Sequence, residues 1–314
     1  MLELVATPDN PIPDGAIVQQ LKAYDGRRLR AAIFPCPTTA RGTVAVFQGH
    51  NEFIEKYFET IENLRKRGFD VVALDWRGQA GSERELADPR KGHVDDFSQY
   101  QRDLDVFVAQ VLSPRPQPWF ALAHSMGGAI MLDLAHSSRP PFERMALIAP
   151  MVDLANLPFP RGARWLADTL DMLGLGAQFI PFGGGRNYLE LAFEGNKLTT
   201  DPVRFARNAR IIAAAPQLVI GDPTIGWVNA AFRLMKRFEA PEFARAIRTP
   251  TLIFEAGREK IVSNAAMERF TQNLDTGALL TIAGAKHEIL MERDELRGQF
   301  WRAFDAFIPG SGAI

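Results

Sequence analysis

The sequence predicts an α/β chain, with a mostly parallel central sheet and helices on both of its faces. Three observations carry that expectation. Strand-like and helix-like segments alternate along most of the 314 residues. Several strand-like runs are apolar on both faces, as strands covered on both sides must be. One stretch, 151–240, breaks the alternation with helical segments alone.

In order, residues 17–24 and 28–34 read as two strands around Asp25-Gly26, a hairpin turn pair. Residues 43–47 form a short apolar run that meets a turn at Gln48-Gly49. Phe53, Ile54, Tyr57, Phe58, Ile61 and Leu64 recur at helical spacing, and Gly68 stops that helix. A buried strand follows at 69–74, then a helix over 96–112 with Phe97, Tyr100, Leu104, Phe107, Val108 and Val111 inward. Next come a strand at 118–124, a helix at 126–136 and a strand at 144–149. The alternation resumes with a strand at 251–255, a helix at 263–274, a strand at 278–282 and a helix at 294–307.

The expected organisation is therefore a core built from 1–150 and 241–314, with a helical cap inserted at 151–240. The insertion carries Pro158, Pro160 and a Gly183-Gly184-Gly185 run, with helices expected at 161–173, 202–215 and 227–238. An insertion at the C-terminal edge of a parallel sheet lies where α/β folds bind ligands, so a lid over a site is expected. Trp165, Leu166, Phe179 and Phe182 are the candidate substrate-lining residues.

Composition narrows the classes. Lys and Arg number 36 against 37 Asp and Glu, a net charge of −1, so no basic field exists to attract nucleic acid. A single cysteine, Cys36, cannot form an intramolecular disulfide. The N-terminal segment lacks a basic stretch followed by an apolar run, and no run of about 18 apolar residues occurs. A cytoplasmic protein is expected. An apolar lid face would allow transient contact with a membrane surface, without an anchor.

The sharpest local signal is Ala123-His124-Ser125-Met126-Gly127-Gly128, at the junction of a buried strand and a helix. A turn tight enough to expose a serine hydroxyl needs small neighbours two residues away on each side, here Ala123 and Gly127. The helix N-terminus then offers the Met126 amide to a developing oxyanion. Serine needs a general base. Of five histidines, His124 is expected to point away from the turn, His136 to lie at the surface and His93 to be structural. His287, in the loop Gly284-Ala285-Lys286-His287-Glu288 after the last apolar strand, is the expected base. The orienting acid must lie between them at a strand end. Glu259 ranks first, ahead of Asp153 and Glu255. The turn after the strand at 43–47 supplies a second oxyanion donor, the His50 amide, with Gly49 allowing close approach; alternatively, the His50 side chain lines the pocket.

These residues carry a resemblance. Gly49-His50-Asn51-Glu52-Phe53 with Tyr57, Asp75-Trp76-Arg77-Gly78-Gln79-Ala80-Gly81-Ser82, His93-Val94-Asp95-Asp96-Phe97 with Tyr100 and Asp103, His124-Ser125-Met126-Gly127-Gly128, and Ala285-Lys286-His287-Glu288 occur in this order. Together they resemble the α/β-hydrolase superfamily, in its monoacylglycerol lipase and lysophospholipase-like branch, from about residue 20 to 308. The sequence departs from that pattern at Gln48 and Phe53, where the branch has His, at Ala80, where it has Gly, and at Glu259, where most members have Asp. The resemblance implies hydrolysis of carboxylic esters of lipid-like substrates through an acyl-serine, with neither cofactor nor metal. A thioesterase or acyltransferase with the same three residues, or a silent ligand-binding protein on this fold, are the alternatives.

Overall fold

A computed structural model describes residues 3–137 and 140–310. The expected core ranges 1–150 and 241–314 also take in residues 1–2, 138–139 and 311–314, which lie outside the described part. In chain order the strands are β1 (Ile17–Lys22), β2 (Arg28–Phe34), β3 (Thr43–Phe47), β4 (Asp70–Leu74), β5 (Trp119–His124), β6 (Arg144–Ile148), β7 (Thr251–Ala256) and β8 (Gly277–Ile282). They form one eight-stranded sheet in the order β1-β2-β4-β3-β5-β6-β7-β8. The β1/β2 and β2/β4 pairs are antiparallel, and every other pair is parallel. β3 and β4 are buried at every position, which is why their sequences show no alternation.

Helices α1 (Phe58–Lys66), α2 (Ser98–Phe107) and α3 (Met126–Ala135) fill the connections as far as β6. The chain between β6 and β7 holds α4 (Pro160–Leu170), α5 (Pro202–Ala214), α6 (Ile225–Phe238) and α7 (Pro241–Ala246). The sequence reading did not expect α7. It is short, and the Phe238 and Phe243 rings, 5.1 Å apart, fold it against α6. Helices α8 (Asn264–Thr271) and α9 (Asp294–Phe307) complete the molecule. The helix expected from 53 starts as a 3-10 turn at Ile54–Tyr57 and becomes α1 only at Phe58.

Among the described residues no helix is long and apolar enough to cross a membrane. The main core surrounds the sheet. A second apolar cluster joins Phe53 and Ala80, from the sheet's connecting loops, to Leu189, Phe205, Ile211, Ile212 and Leu218. Phe53, one of the departures from the resembling branch, thus seats α5 against the body.

Candidate active site

The three singled-out side chains follow the ends of three parallel strands, β5, β7 and β8, with β6 between the first two. The β5 end turns at Ser125 with φ 52° and ψ −114°, a left-handed strained conformation for a residue with a Cβ. Its amide donates to the Ile148 carbonyl at 2.9 Å, and its carbonyl accepts from Met151 and Ala129, so β6 and α3 hold the turn. Gly127 is required here. A Cβ on it would come within 2.6 Å of the main-chain oxygens of both Phe47 and Gln48.

His287 reaches the same point from the loop after β8. Its Nε2 lies 3.0 Å from Ser125 Oγ and its Nδ1 2.7 Å from Glu259 Oε2. Glu259 Oε1 accepts the main-chain N–H groups of Lys260 and Ile261 at 2.9 and 2.8 Å. Burial pushes the Glu259 carboxyl up, but the facing His287 and those amides outweigh it and hold the group below its ordinary range. The other two candidate acids stand elsewhere. Glu255 is buried against Thr281 Oγ1 at 2.6 Å, where burial pushes its carboxyl up. Asp153 accepts from Leu154 N and Arg164. Neither touches a histidine.

The turn after β3 packs directly on Ser125. A Cβ on Gly49 would come 3.2 Å from the Ser125 Cβ and 2.9 Å from Glu52 Oε2. Glu52 accepts the Gly49 amide, while the next amide, of His50, and that of Met126 donate to no protein acceptor among the described residues. Gln48 anchors the turn, its Nε2 donating to Asp75 Oδ1 at 3.1 Å and its carbonyl accepting from Trp76 Nε1 at 2.8 Å. The His50 ring lies over Trp227, centroids 4.3 Å apart, and its buried Nε2 has no partner among the described residues. Burial holds this imidazole at about 4, so it is neutral.

A cavity of about 540 Å³ opens on Ser125 and His287 and is walled mostly by apolar side chains, including those of the β6–β7 segment. Ala163, Leu166, Ala167 and Leu170 line it at i, i+3, i+4 and i+7 of α4, with Ile180, Trp227 and Phe232 opposite. Of the four expected lining residues, only Leu166 does so. Trp165 falls off the α4 stripe and is 69% exposed, and Phe182 is fully exposed. Phe179 pairs its backbone with Thr224 and stacks under Lys91 Nζ at 5.3 Å. The correct stripe is a plain helical period legible in the sequence, but it is built on small and aliphatic side chains rather than on the large aromatics.

The remaining histidines have structural partners. His93 Nδ1 lies 2.9 Å from Thr224 Oγ1, the cap of α6, and His136 stacks on Phe243 at 4.0 Å, half-buried rather than at the surface. His124 points away from the serine into a buried polar cluster with Glu52, Lys56 and Glu288.

The family described as serine aminopeptidase, S33 matches residues 38–294. Lysophospholipase L2 of Escherichia coli is 35% identical over 264 residues, covering 81% of this chain and 76% of that protein. Rat (Rattus norvegicus) monoglyceride lipase is 35% identical over 153 residues, 48% of this chain and 47% of its own. Among solved structures, a soluble variant of Saccharomyces cerevisiae monoglyceride lipase with a substrate analog superposes with a TM-score of 0.75 at 17% identity, covering 95% and 97% of the two chains. A Bacillus coagulans carboxyl esterase reaches 0.74 at 18% identity, over 94% and 98%. The chain belongs to the serine aminopeptidase S33 family of α/β-hydrolases, in the branch that holds the lysophospholipases and monoglyceride lipases.

Proposed function

We propose that this protein hydrolyses carboxylic esters of lipid-like substrates through a covalent acyl-Ser125. The observation that carries this reading is the chain of contacts Ser125 Oγ, His287 Nε2, His287 Nδ1 and Glu259 Oε2, at 3.0 and 2.7 Å, opening on a largely apolar cavity. His287 takes the Ser125 proton as Oγ attacks the ester carbonyl. The positive imidazolium faces the ionised Glu259, which stabilises it. The amides of Met126 and His50 receive the oxyanion, each donor contributing about 3 kcal/mol to the transition state. Collapse expels the alcohol with the proton from His287. Water then attacks the acyl-enzyme, with His287 again as base; the second collapse breaks the bond to Oγ, releases the carboxylic acid and returns the proton from His287 to Ser125. The β6–β7 segment acts as the lid, and its α4 stripe holds the acyl chain. The apolar side chains on its outer surface, Phe159, Trp165, Met172, Leu173 and Phe182, are suited to transient contact with a lipid surface.

The test is covalent labelling with a fluorophosphonate, located by peptide mass spectrometry, followed by an ester series graded in acyl length. Labelling at Ser125 that falls sharply in His287→Ala is expected. Labelling at another residue, or undiminished labelling in the variant, would overturn the mechanism.

A further inference from the structure

Behind the nucleophile lies a cluster of ionisable side chains that the mechanism above leaves unused. His124 is at its centre and is 5% exposed. Its Nδ1 stands 2.9 Å from Glu52 Oε2, and its Nε2 stands 3.2 Å from the main-chain oxygen of His287. A carbonyl has no proton to give, and neither has an ionised carboxylate. Glu52 is ionised by its contacts: Oε2 also accepts from the Gly49 amide and from Tyr57 Oη at 2.8 Å, and Oε1 accepts from Lys56 Nζ at 2.6 Å. Each of its oxygens already faces donors. A neutral imidazole has one N–H, so it would leave one of these two contacts as lone pair against lone pair.

We propose that His124 is held as a doubly protonated imidazolium, a fixed cation that positions the oxyanion turn and the loop of the catalytic base relative to each other. The inference rests on the roles given above to Ser125 and His287. On one side His124 meets Glu52, which holds the Gly49 amide and so the approach to His50. On the other it holds the main chain of His287 itself. Ser125 is its covalent neighbour. One ion pair thereby ties together the three loops that must share a geometry.

Charge bookkeeping agrees. The groups facing the cluster are Glu52, Lys56 and Tyr57 from the segment after β3, Tyr188 from the β6–β7 segment, and His287 and Glu288 from the loop after β8. Two carboxylates face one ammonium, and a protonated His124 closes the balance. Burial alone would drive the proton off His124, but the Glu52 charge and hydrogen bond more than reverse it.

The measurement is NMR of the ring nitrogens in protein labelled with 15N-histidine, across the neutral and mildly alkaline range, with His124 assigned by its loss in His124→Gln. Both His124 nitrogens are expected to resonate as protonated. One protonated and one bare nitrogen at neutral pH overturns the proposal, whatever the activity. In Glu52→Gln the same ring is expected to revert to a neutral tautomer; an unchanged ring would show that Glu52 does not hold the proton and would also count against it. His124→Gln is expected to lower kcat by roughly 10²-fold with KM within about twofold, and labelling stays at Ser125. An unchanged kcat removes the positioning role. Absence of Ser125 labelling in the unsubstituted protein would instead strike the proposed function, leaving the protonation result to stand by itself.

Discussion

The floor and the roof of the cavity are built on opposite plans. On the floor, Ser125, Glu259 and His287 follow the ends of strands locked in the parallel part of one sheet, and their polar atoms are paired at 2.7 to 3.0 Å. In the roof, α4 and the turn after it show apolar side chains on both sides. Leu166 and Leu170 face the cavity, while Met172 and Leu173 are 81% and 70% exposed. The roof is anchored through α5, where Arg204 and Arg207, with Arg297 of α9, converge on Glu59 of α1. The difference teaches a division of labour. Bond making needs atoms fixed to fractions of an ångström, which strand ends supply. Holding an acyl chain needs only apolar area, which a less tightly packed helix can offer.

The largest effect that could break this division is at the nucleophile. Ser125→Ala is expected to reduce ester turnover by roughly 10⁶-fold on every substrate, with little change in the unfolding midpoint; retained turnover would move the chemistry off the floor. Next is Glu259→Gln, which keeps the shape but favours the wrong His287 tautomer and is expected to cost roughly 10⁴-fold in kcat. Steady-state kinetics on a short soluble ester check both.

The anchor of the roof comes third. Burial raises the Glu59 carboxyl, but its three guanidinium partners hold it at about 2 against an ordinary 4.5. A depressed carboxylate stabilises the fold at pH above its unfolded value, and that contribution is lost as pH falls from 4.5 toward 2. Glu59→Gln is expected to cost about 3 kcal/mol at neutral pH, and the gap to the unsubstituted protein should close through that acid window. Thermal melts at a series of pH values read it, and a gap independent of pH would show that Glu59 acts by packing alone.

The smallest effect belongs to the outer roof. Met172→Asp with Leu173→Asp is expected to lower the rate on lipid dispersions roughly tenfold, from lost apolar burial at the surface, and to leave a short soluble ester unaffected. Equal loss on both substrates would merge the outer roof with the chemistry and erase the comparison.

Much of this was legible along the chain. All eight strands lie where the sequence places them: in the central strands burial on two faces imposes an apolar pattern on consecutive residues, and at the β1 edge the Asp25-Gly26 turn marks the hairpin. Ser125 stands out because a strained strand-to-helix turn demands small residues at fixed offsets, and His287 because it follows the last apolar strand. The choice among Glu259, Asp153 and Glu255 was only an ordering by position, since all three sit near strand ends. What separates them is a distance of 2.7 Å to a ring that is 28 residues away in sequence. Size and apolarity point to substrate-lining candidates but do not say which side of a helix meets a cavity. That side is set by how α4 lies over the sheet, and it favoured Ala163 and Ala167 over Trp165.

By itself, then, the sequence determined the strands, most of the helices, their alternation and the strained turn at Ser125, because those depend on interactions between near neighbours. Only the tertiary structure decided which acid meets His287, which face of α4 walls the cavity, why Phe53 replaces a polar residue, and what both nitrogens of His124 touch. Each of those is a contact between segments far apart in sequence, fixed by how the sheet and the roof pack together rather than by local preference.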